Sequence, residues 1–190
     1  MSQSRSPELL DCGSSALLVV DVQAKLVGHV RDSKRIVWNI GRLIQAAKLF
    51  EVSASATEQY PKGLGGTVPE LAAQLGTIPE KLRFSCLECE SLFAQWKNSR
   101  RWEIVVTGIE THVCVLQTVL DLIHLGFRPY VVADAVSARG QLDHETALRR
   151  MELSGATITT TESVMFEWCQ ASGTPEFKQI SALVRETPPQ

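Results

Sequence analysis

Two kinds of apolar pattern alternate along the chain. Continuous runs such as 16–21, which ends in a charge, are typical of strands buried on both faces. Other segments repeat an apolar residue every three or four positions, as an amphipathic helix does. The predicted strands are 16–21, 52–56, 81–85, 102–107, 128–133 and 156–161. The predicted helices are 36–47, 68–75, 90–99, 111–125, 143–154, 164–169 and 176–185.

This alternation predicts an α/β fold. Strands that are separated by helices form a mainly parallel sheet with helices on both faces. We therefore expect a three-layer, doubly wound, Rossmann-like sandwich around a six-stranded sheet. The 190 residues, 44% of them hydrophobic, suit one globular domain over 1–190, with loose tails at 1–14 and 186–190.

Composition excludes several partners. The net charge of -2 gives no basic surface for nucleic acid. No apolar stretch reaches the roughly 18–20 residues that span a bilayer, and 1–14 lacks the apolar segment of a secretory signal. Five cysteines, an odd number, do not suggest a disulfide framework. We expect a cytoplasmic protein without nucleic-acid or membrane partners.

The predicted helix 111–125 is apolar on nearly all sides. Such a helix is buried either in the core or against another subunit. In a domain of this size we favour a subunit interface and expect a homo-oligomer. The apolar residues are Val113, Val115, Leu116, Val119, Leu120, Leu122 and Ile123.

Cys114 has the setting of a nucleophile. The segment 104–115 is typical of a buried strand, a sharp turn at Gly108, and a helix whose first turn carries Cys114. A thiol at the positive end of a helix dipole tends to ionise. The alternative is that Cys114 is simply a small buried hydrophobic residue.

Asp21 and Lys81 supply complementary chemistry. Asp21 directly follows the first strand, and Lys81 lies at or just past the third. Ligands of such sheets bind outside the carboxyl ends of the strands. Near a thiol, Asp21 would act as the general base, and Lys81 would hold that carboxylate and favour the thiolate. Taken singly, an Asp there is often a cap and a Lys is usually solvated.

Cys86 and Cys89 have the C-x-x-C spacing. A structural zinc site would require a second ligand pair, which the chain lacks. A redox pair would require a thioredoxin-like unit, which the pattern does not clearly supply. A thiol redox function for this pair stays open as an alternative.

Three motifs together carry a family resemblance. They are Asp21-Val22-Gln23, Lys81-Leu82-Arg83-Phe84-Ser85 and the segment from Gly108 to Val115. With this order and spacing, the chain from Leu17 to about Met165 resembles the isochorismatase-like cysteine hydrolases. The segment from Thr57 to Gly65 resembles the subgroup of isochorismatase domain-containing proteins, whose substrates are generally unassigned.

The resemblance implies a catalytic triad of Asp21, Lys81 and Cys114. It also implies a non-proline cis peptide bond between Ile109 and Glu110. The backbone N–H groups of Glu110 and Cys114 would then form the oxyanion hole, which stabilises the charge of the reacting carbonyl oxygen.

Five further residues are candidate substrate-binding residues by position only, with ordinary packing as the alternative. They are Gln23, Glu58, Tyr60, Phe84 and Thr111. The metal-binding Asp-x-His of nicotinamidases is absent from 53–59. We therefore expect no metal and no cofactor, and we do not expect nicotinamide as the substrate.

These observations predict a metal-independent cysteine hydrolase. It would cleave a C–N bond of the amide or ureide type in a small molecule through a covalent thioester. One alternative is a catalytically silent, oligomeric interaction protein of the same fold. Another is an isochorismate-type vinyl-ether hydrolase, which the cysteine disfavours because several true isochorismatases lack it.

Overall fold

The computed structural model of the chain describes residues 5–189. Its sheet has six strands in the order β3-β2-β1-β4-β5-β6, and every neighbouring pair is parallel. The strands are β1 (Ser15–Val20), β2 (Ser53–Gln59), β3 (Glu80–Lys81), β4 (Glu103–Ile109), β5 (Arg128–Ser137) and β6 (Thr157–Thr159).

Helices connect these strands. They are α1 (Ala24–Val27), α2 (Ser33–Leu49), α3 (Pro61–Leu64), α4 (Pro69–Ala72), α5 (Glu90–Asn98), α6 (Leu116–His124), α7 (Gln141–Leu153), α8 (Thr161–Cys169) and α9 (Pro175–Val184). A 3₁₀ turn spans Cys86–Glu88, and a π-helical turn spans Thr111–Val115. No helix within residues 5–189 combines the length and apolarity that crossing a bilayer requires.

The sheet is covered on both faces. Leu17 and Val19 of β1 belong to one apolar cluster with α2, α8 and α9. Leu18 and Val20 belong to a second cluster with α5, α6 and α7. Since successive strand residues point to opposite faces, a strand between two helix layers must be apolar at every position. The predicted doubly wound α/β sandwich is confirmed.

The third and fifth strands differ most from the prediction, while the second strand continues three residues further than predicted, to Gln59. The third strand has only the two residues Glu80–Lys81, and the chain beyond it is irregular. The fifth strand continues to Ser137, and its pairing shifts between Val106 and Gly108 of β4. Asp134 fits inside this strand because its Oδ1 accepts hydrogen bonds from the N–H and hydroxyl of Thr161, at 2.8 and 2.9 Å.

Gly108 lies inside β4, and the turn predicted there comes one residue after the strand, at Glu110. The φ of Gly108 is 110°, which falls in the region that favours glycine. A β-carbon at this position would overlap the backbone of Val20 in β1. The two strands therefore approach each other closely at their carboxyl ends.

The N-terminal segment differs from the loose tail that the sequence predicted. Leu10 is fully buried. The Arg5 guanidinium donates to the carbonyls of Leu10 and Glu167, at 2.6 and 2.8 Å. Residues 5–14 are thus packed against α8, because burial of Leu10 and these hydrogen bonds favour an ordered segment. The predicted C-terminal tail is exposed over 186–189, while 1–4 and 190 lie outside the described residues.

Candidate active site

The candidate site lies where the strand order reverses. From β1 the chain continues to β2 on one side, whereas β4 pairs with β1 on the other. Ligands of doubly wound sheets bind at this point. Asp21 directly follows β1, and Cys114 lies in the π-helical turn that follows β4. Single π-helical turns are frequent at functional sites.

Asp21 and Lys81 form an ion pair that is buried from solvent. Lys81 Nζ lies 2.6 Å from Asp21 Oδ2, and both side chains are 0% exposed. The ammonium also donates to Gln59 Oε1 at 2.8 Å and to the Phe84 carbonyl at 2.9 Å. These three short contacts use its three protons. Lys81 therefore has an anchoring position, with no proton left for a ligand.

The charge of Asp21 keeps Lys81 ionised. Burial by itself would lower the pKa of Lys81, because the charged form is desolvated. The nearby carboxylate of Asp21 acts in the opposite direction, and together with smaller contributions from Cys86 and Cys114 it outweighs burial, so the pKa of Lys81 lies above its ordinary value. Lys81 is therefore a permanent cation in the site at neutral pH.

Cys114 is close to Asp21 but is not the ionised thiol that we expected from its place at a helix start. Burial raises the pKa of the Cys114 thiol most, followed by the negative charge of Asp21. The positive charge of Lys81 acts in the opposite direction but does not cancel these effects. Desolvation and the adjacent anion thus favour the protonated thiol. The resting state is a protonated thiol beside a carboxylate that can accept its proton.

The turn that carries Cys114 begins at an unusual backbone feature. The Ile109–Glu110 peptide bond is cis, at the position that the resemblance implied. Within residues 5–189 the N–H of Glu110 donates no hydrogen bond. The Glu110 carboxylate accepts from the backbone N–H and from Nε of Arg139, both at 3.1 Å. The backbone N–H of Glu110 is therefore available to a ligand.

Two of the candidate substrate-binding residues are fully buried. Gln23 donates to the carbonyls of Gln59 and Gly65 at 3.0 and 2.6 Å, and accepts from the Gln59 N–H at 2.7 Å. Thr111 is paired with Nδ1 of His144 at 2.9 Å. Since the polar groups of Gln23 and Thr111 are engaged within the protein, these contacts position the loop and the nucleophile turn.

The other three candidates lie nearer the surface. The Glu58 carboxylate accepts from the N–H and hydroxyl of Thr67, at 2.6 and 2.8 Å. Tyr60 and Phe84 are each 51% exposed, and the Tyr60 N–H donates to the Lys81 carbonyl at 2.9 Å. Tyr60 and Phe84 thus flank Lys81 at the surface, where a ligand could meet them.

Two further residues of the site, Thr57 and Gln59, were not predicted from the sequence. Thr57 donates to Asp21 Oδ1 at 2.8 Å. Gln59 contacts Lys81 and also donates from Nε2 to the Leu82 carbonyl at 2.7 Å. Both lie near the end of β2, whose weak apolar pattern gave no indication that its polar side chains face a buried ion pair.

Cys86 and Cys89 are free, buried thiols. Burial raises the pKa of Cys86 to about 12 and also raises that of Cys89. Reactive pairs of C-x-x-C type instead have lowered thiol pKa values. The environment of this pair therefore does not favour the redox alternative.

Two surface depressions lie in different parts of the molecule. A cleft of about 340 Å³ is lined by Leu26, His29, Glu110 and Arg139, next to the nucleophile turn. A groove of about 440 Å³ along α2 contains Trp38 among its lining residues, and none of the three triad residues lines either depression. We assign the site by its chemistry, which favours the cleft beside Glu110.

Among residues 5–189, no group of three or more His, Cys, Asp or Glu side chains is arranged to hold a metal ion.

Buried thiols make the stability of the fold sensitive to alkaline pH. Cys86 has a pKa of about 12 in the folded protein against an ordinary value of 9.0. Between these values the unfolded chain loses a proton that the folded chain keeps, so stability is complete below pH 9.0 and falls as the pH rises. We expect the free energy of unfolding to fall by about 1.4 kcal/mol per pH unit from this thiol alone.

Urea unfolding at a series of alkaline pH values, under reducing conditions, measures this loss. Replacing Cys86 by alanine should make the free energy of unfolding fall less steeply with pH, by the contribution of one thiol. The other thiols with raised pKa values, including Cys114, still contribute. If the free energy of unfolding of Cys86→Ala fell with pH as steeply as that of the unmodified protein, Cys86 would not be a source of the alkaline loss of stability.

A thiol, a carboxylate and an ammonium at the carboxyl edge of a doubly wound sheet define a Rossmann-like α/β protein of the isochorismatase-like hydrolase class. Sequence comparison agrees, because the family model described as the isochorismatase domain matches residues 15–163. The chain belongs to the isochorismatase family.

Curated relatives match over most of their length. Isochorismatase domain-containing protein 2A of Mus musculus is 38% identical over 176 residues, which cover 93% of this chain and 85% of the relative. The secreted isochorismatase effector Isc1 of Phytophthora sojae is 40% identical over 179 residues, with 91% and 85% covered. Close relatives therefore include a protein that is described as secreted.

Solved structures share the fold. A structure titled MAR1 ribonuclease from Caenorhabditis elegans is 36% identical, with a TM-score of 0.87 and 96% of this chain and 95% of that one covered. YcaC of Escherichia coli, titled an octameric hydrolase of unknown specificity, is 26% identical, with a TM-score of 0.85 and 95% and 92% covered. YcaC of Pseudomonas aeruginosa has the same identity and TM-score, with 95% and 93% covered, and its title records covalent acrylamide.

Proposed function

We propose that this protein is a metal-independent cysteine hydrolase that cleaves the C–N bond of a small amide or ureide. One observation carries the proposal: the Cys114 thiol is close enough to the Asp21 carboxylate for that charge to raise its pKa, and Asp21 is itself held by Lys81 at 2.6 Å. The nucleophile Cys114 therefore lies near its general base, Asp21. The cation Lys81 holds that base in place. This arrangement lies at the ligand-binding edge of the sheet.

The reaction begins with transfer of the Cys114 proton to Asp21. The sulfur then bonds to the substrate carbonyl carbon, and the electrons of the carbonyl bond move to its oxygen. As the tetrahedral intermediate collapses, the C–N bond breaks and Asp21 returns the proton to the departing amine. Water, with Asp21 again as the base, hydrolyses the thioester and releases the acid and the free thiol.

The oxyanion is stabilised by the backbone N–H groups of Glu110 and Cys114. The first of these has no acceptor in the described part of the chain, which supports this role. A donor of this kind contributes about 3–4 kcal/mol to lowering the barrier when it is aimed at the developing charge. Lys81 does not donate a hydrogen bond to the substrate, because its protons are engaged within the protein.

Substrate contacts follow from exposure. Tyr60 and Phe84 are the sequence candidates with enough accessible surface to pack against a substrate. Gln23 and Thr111 act by positioning the protein around the site, since their polar groups are engaged. Glu58 acts in the same way through Thr67. We therefore propose that the substrate is held mainly by apolar contacts with Tyr60 and Phe84.

Two relatives bear on the reaction type. The covalent acrylamide that is recorded for YcaC of Pseudomonas aeruginosa is a small electrophile, which suits a reactive nucleophile in the site here. The ribonuclease title of the Caenorhabditis elegans relative suggests RNA as a second substrate to test. We favour the amide because the net charge of -2 provides no general attraction for a polyanion.

The proposal is tested by alkylating the protein with iodoacetamide across a pH series during a screen of small amides, ureides and a short RNA. Peptide mass spectrometry identifies the thiol that reacts. We expect Cys114 to be modified, and we expect any amide that is turned over to protect it. Modification of Cys86 or Cys89 with Cys114 untouched would contradict the proposal, and so would turnover of RNA alone.

A homo-oligomer is the second part of the proposal. Val113, Leu120 and Ile123 are only partly buried within one chain, and they lie along the nucleophile turn and α6. The octameric description of YcaC, which aligns with 95% of this chain, supports a second copy as the occupant of this surface.

We further propose a cytoplasmic location because the five free cysteines suit a reducing compartment.

Static light scattering measures the oligomeric state directly. We expect a mass that is a multiple of one chain, and we expect Leu120→Asp to lower it because a charge would be buried between subunits. A monomeric mass for the unmodified protein would exclude the oligomer. A silent interaction protein of the same fold would be oligomeric yet inert in the amide screen.

A further inference from the structure

Thr57 makes a contact that its sequence context does not reveal. Its side chain is fully buried, and its Oγ1 lies 2.8 Å from Asp21 Oδ1 and 3.3 Å from Cys86 Sγ. A carboxylate can only accept, so the single hydroxyl proton of Thr57 is donated to Asp21. Cys86 must then be the donor in the second contact. The result is a chain of hydrogen bonds from the Cys86 thiol through Thr57 to Asp21.

Cys86 is also connected to the nucleophile. Its backbone N–H donates to Thr118 Oγ1 at 2.9 Å, and the Thr118 hydroxyl donates to the Cys114 carbonyl at 2.7 Å. Cys86 and Thr118 are both buried. Cys86 therefore joins the segment that bears the base to the segment that bears the reacting sulfur.

We propose that Thr57 is a positioning residue of the hydrolytic reaction, and that Cys86 orients its hydroxyl. Thr57 fixes Oδ1 of Asp21 while Lys81 fixes Oδ2, so the carboxylate cannot rotate away from Cys114. A hydrogen bond donated to a carboxylate also favours its ionised form. Thr57 therefore helps to keep Asp21 ready to accept the thiol proton. This inference rests on the proposed function.

Several other groups act on the same carboxylate. The titratable side chains that interact with Asp21 are Lys81 of β3, Cys114 of the π-helical turn, Cys86 of the 3₁₀ turn and Cys89, which follows that turn. Lys81 is the cation among these four. Removing the Thr57 hydroxyl leaves all of them in place, so a change in pH dependence would report the lost hydrogen bond.

The test compares Thr57→Val with Thr57→Ser. Valine keeps the shape of threonine but has no hydroxyl, whereas serine keeps the donor. The probe is iodoacetamide, and the readout is the rate of Cys114 alkylation against pH. Alkylation through the pair requires an ionised Asp21 to accept the proton, so the rate falls on the acidic side as that carboxylate becomes protonated.

The fall in alkylation rate at acidic pH is the acidic limb of the pH profile. In Thr57→Val we expect this limb to shift to higher pH by about one unit, because the ionised carboxylate has lost a hydrogen-bond donor. Thr57→Ser should restore the original limb. Cys86→Ala should shift it in the same direction by less, because Thr57 keeps its bond to Asp21. Cys169→Ala is the matched control: Cys169 is also a buried thiol but is bonded to the Ala171 carbonyl in another region, and we expect no shift.

The outcomes separate this inference from the proposed function. If iodoacetamide does not modify Cys114 in the unmodified protein, the proposed function fails. If Cys114 reacts and the acidic limb stays in place in Thr57→Val, the positioning role is refuted, even where the rate falls equally at every pH. If Thr57→Val does not fold, the shift in Cys86→Ala against Cys169→Ala decides the question.

Discussion

Replacing Cys114 by alanine is expected to abolish turnover while leaving the fold intact. The proposed covalent pathway requires the Cys114 sulfur as its nucleophile. Loss of a nucleophile of this kind typically costs several orders of magnitude, so we expect kcat/KM to fall by at least about 10³-fold. The change removes one small, nearly buried side-chain atom, so it should alter the free energy of unfolding by only about 1 kcal/mol.

Steady-state kinetics on a substrate from the amide screen, together with thermal unfolding, measures both effects. Cys169→Ala is the control, since it removes a buried thiol from α8 and should leave turnover unchanged. Activity that persists in Cys114→Ala would refute covalent catalysis. A large fall in stability would indicate that Cys114 has a structural role in addition.

Replacing Lys81 by methionine should have the largest effect on stability. The change leaves the carboxylate of Asp21 without its cation, at a place where neither side chain reaches solvent. Removing one partner of a buried ion pair typically costs about 3–5 kcal/mol, because the remaining charge is desolvated and unpaired. Turnover should be lost as well, since Asp21 would no longer be held toward the thiol.

Urea unfolding provides the measurement, with a double-mutant cycle as the control. Lys81→Met combined with Asp21→Asn removes both charges, and we expect it to recover part of the stability lost in the single variant. Lys178→Met on the exposed surface of α9 should change little. If Lys81→Met were as stable as Lys178→Met, Asp21 and Lys81 would not form the buried pair described here.

The apolar patterns were sufficient to predict the fold. β1 and β4 are recognisable because strands between two helix layers must be apolar throughout, and both carry a functional segment at the carboxyl end. This is why the positions of Asp21 and Cys114 at one edge of the sheet could be predicted. The limits of β3 could not, since a strand of two residues has no periodicity.

The surroundings of the triad were much less predictable. Thr57 and Thr118 are ordinary residues in sequence, and only the folded chain shows that their hydroxyls are bonded to Asp21 and to the Cys114 carbonyl. The protonation of Cys114 was predicted in the wrong direction. A helix start can be inferred from local sequence, whereas burial and the charge of Asp21 arise from distant parts of the chain.

The distance between base and nucleophile depends in part on an atom that the chain lacks. Gly108 has no side chain, which is why the end of strand β4 can lie against the backbone of Val20, one residue before Asp21. Any larger residue would act as a wedge between the two segments that deliver the reacting groups. A single methyl group at this position would thus be enough to move Asp21 away from Cys114.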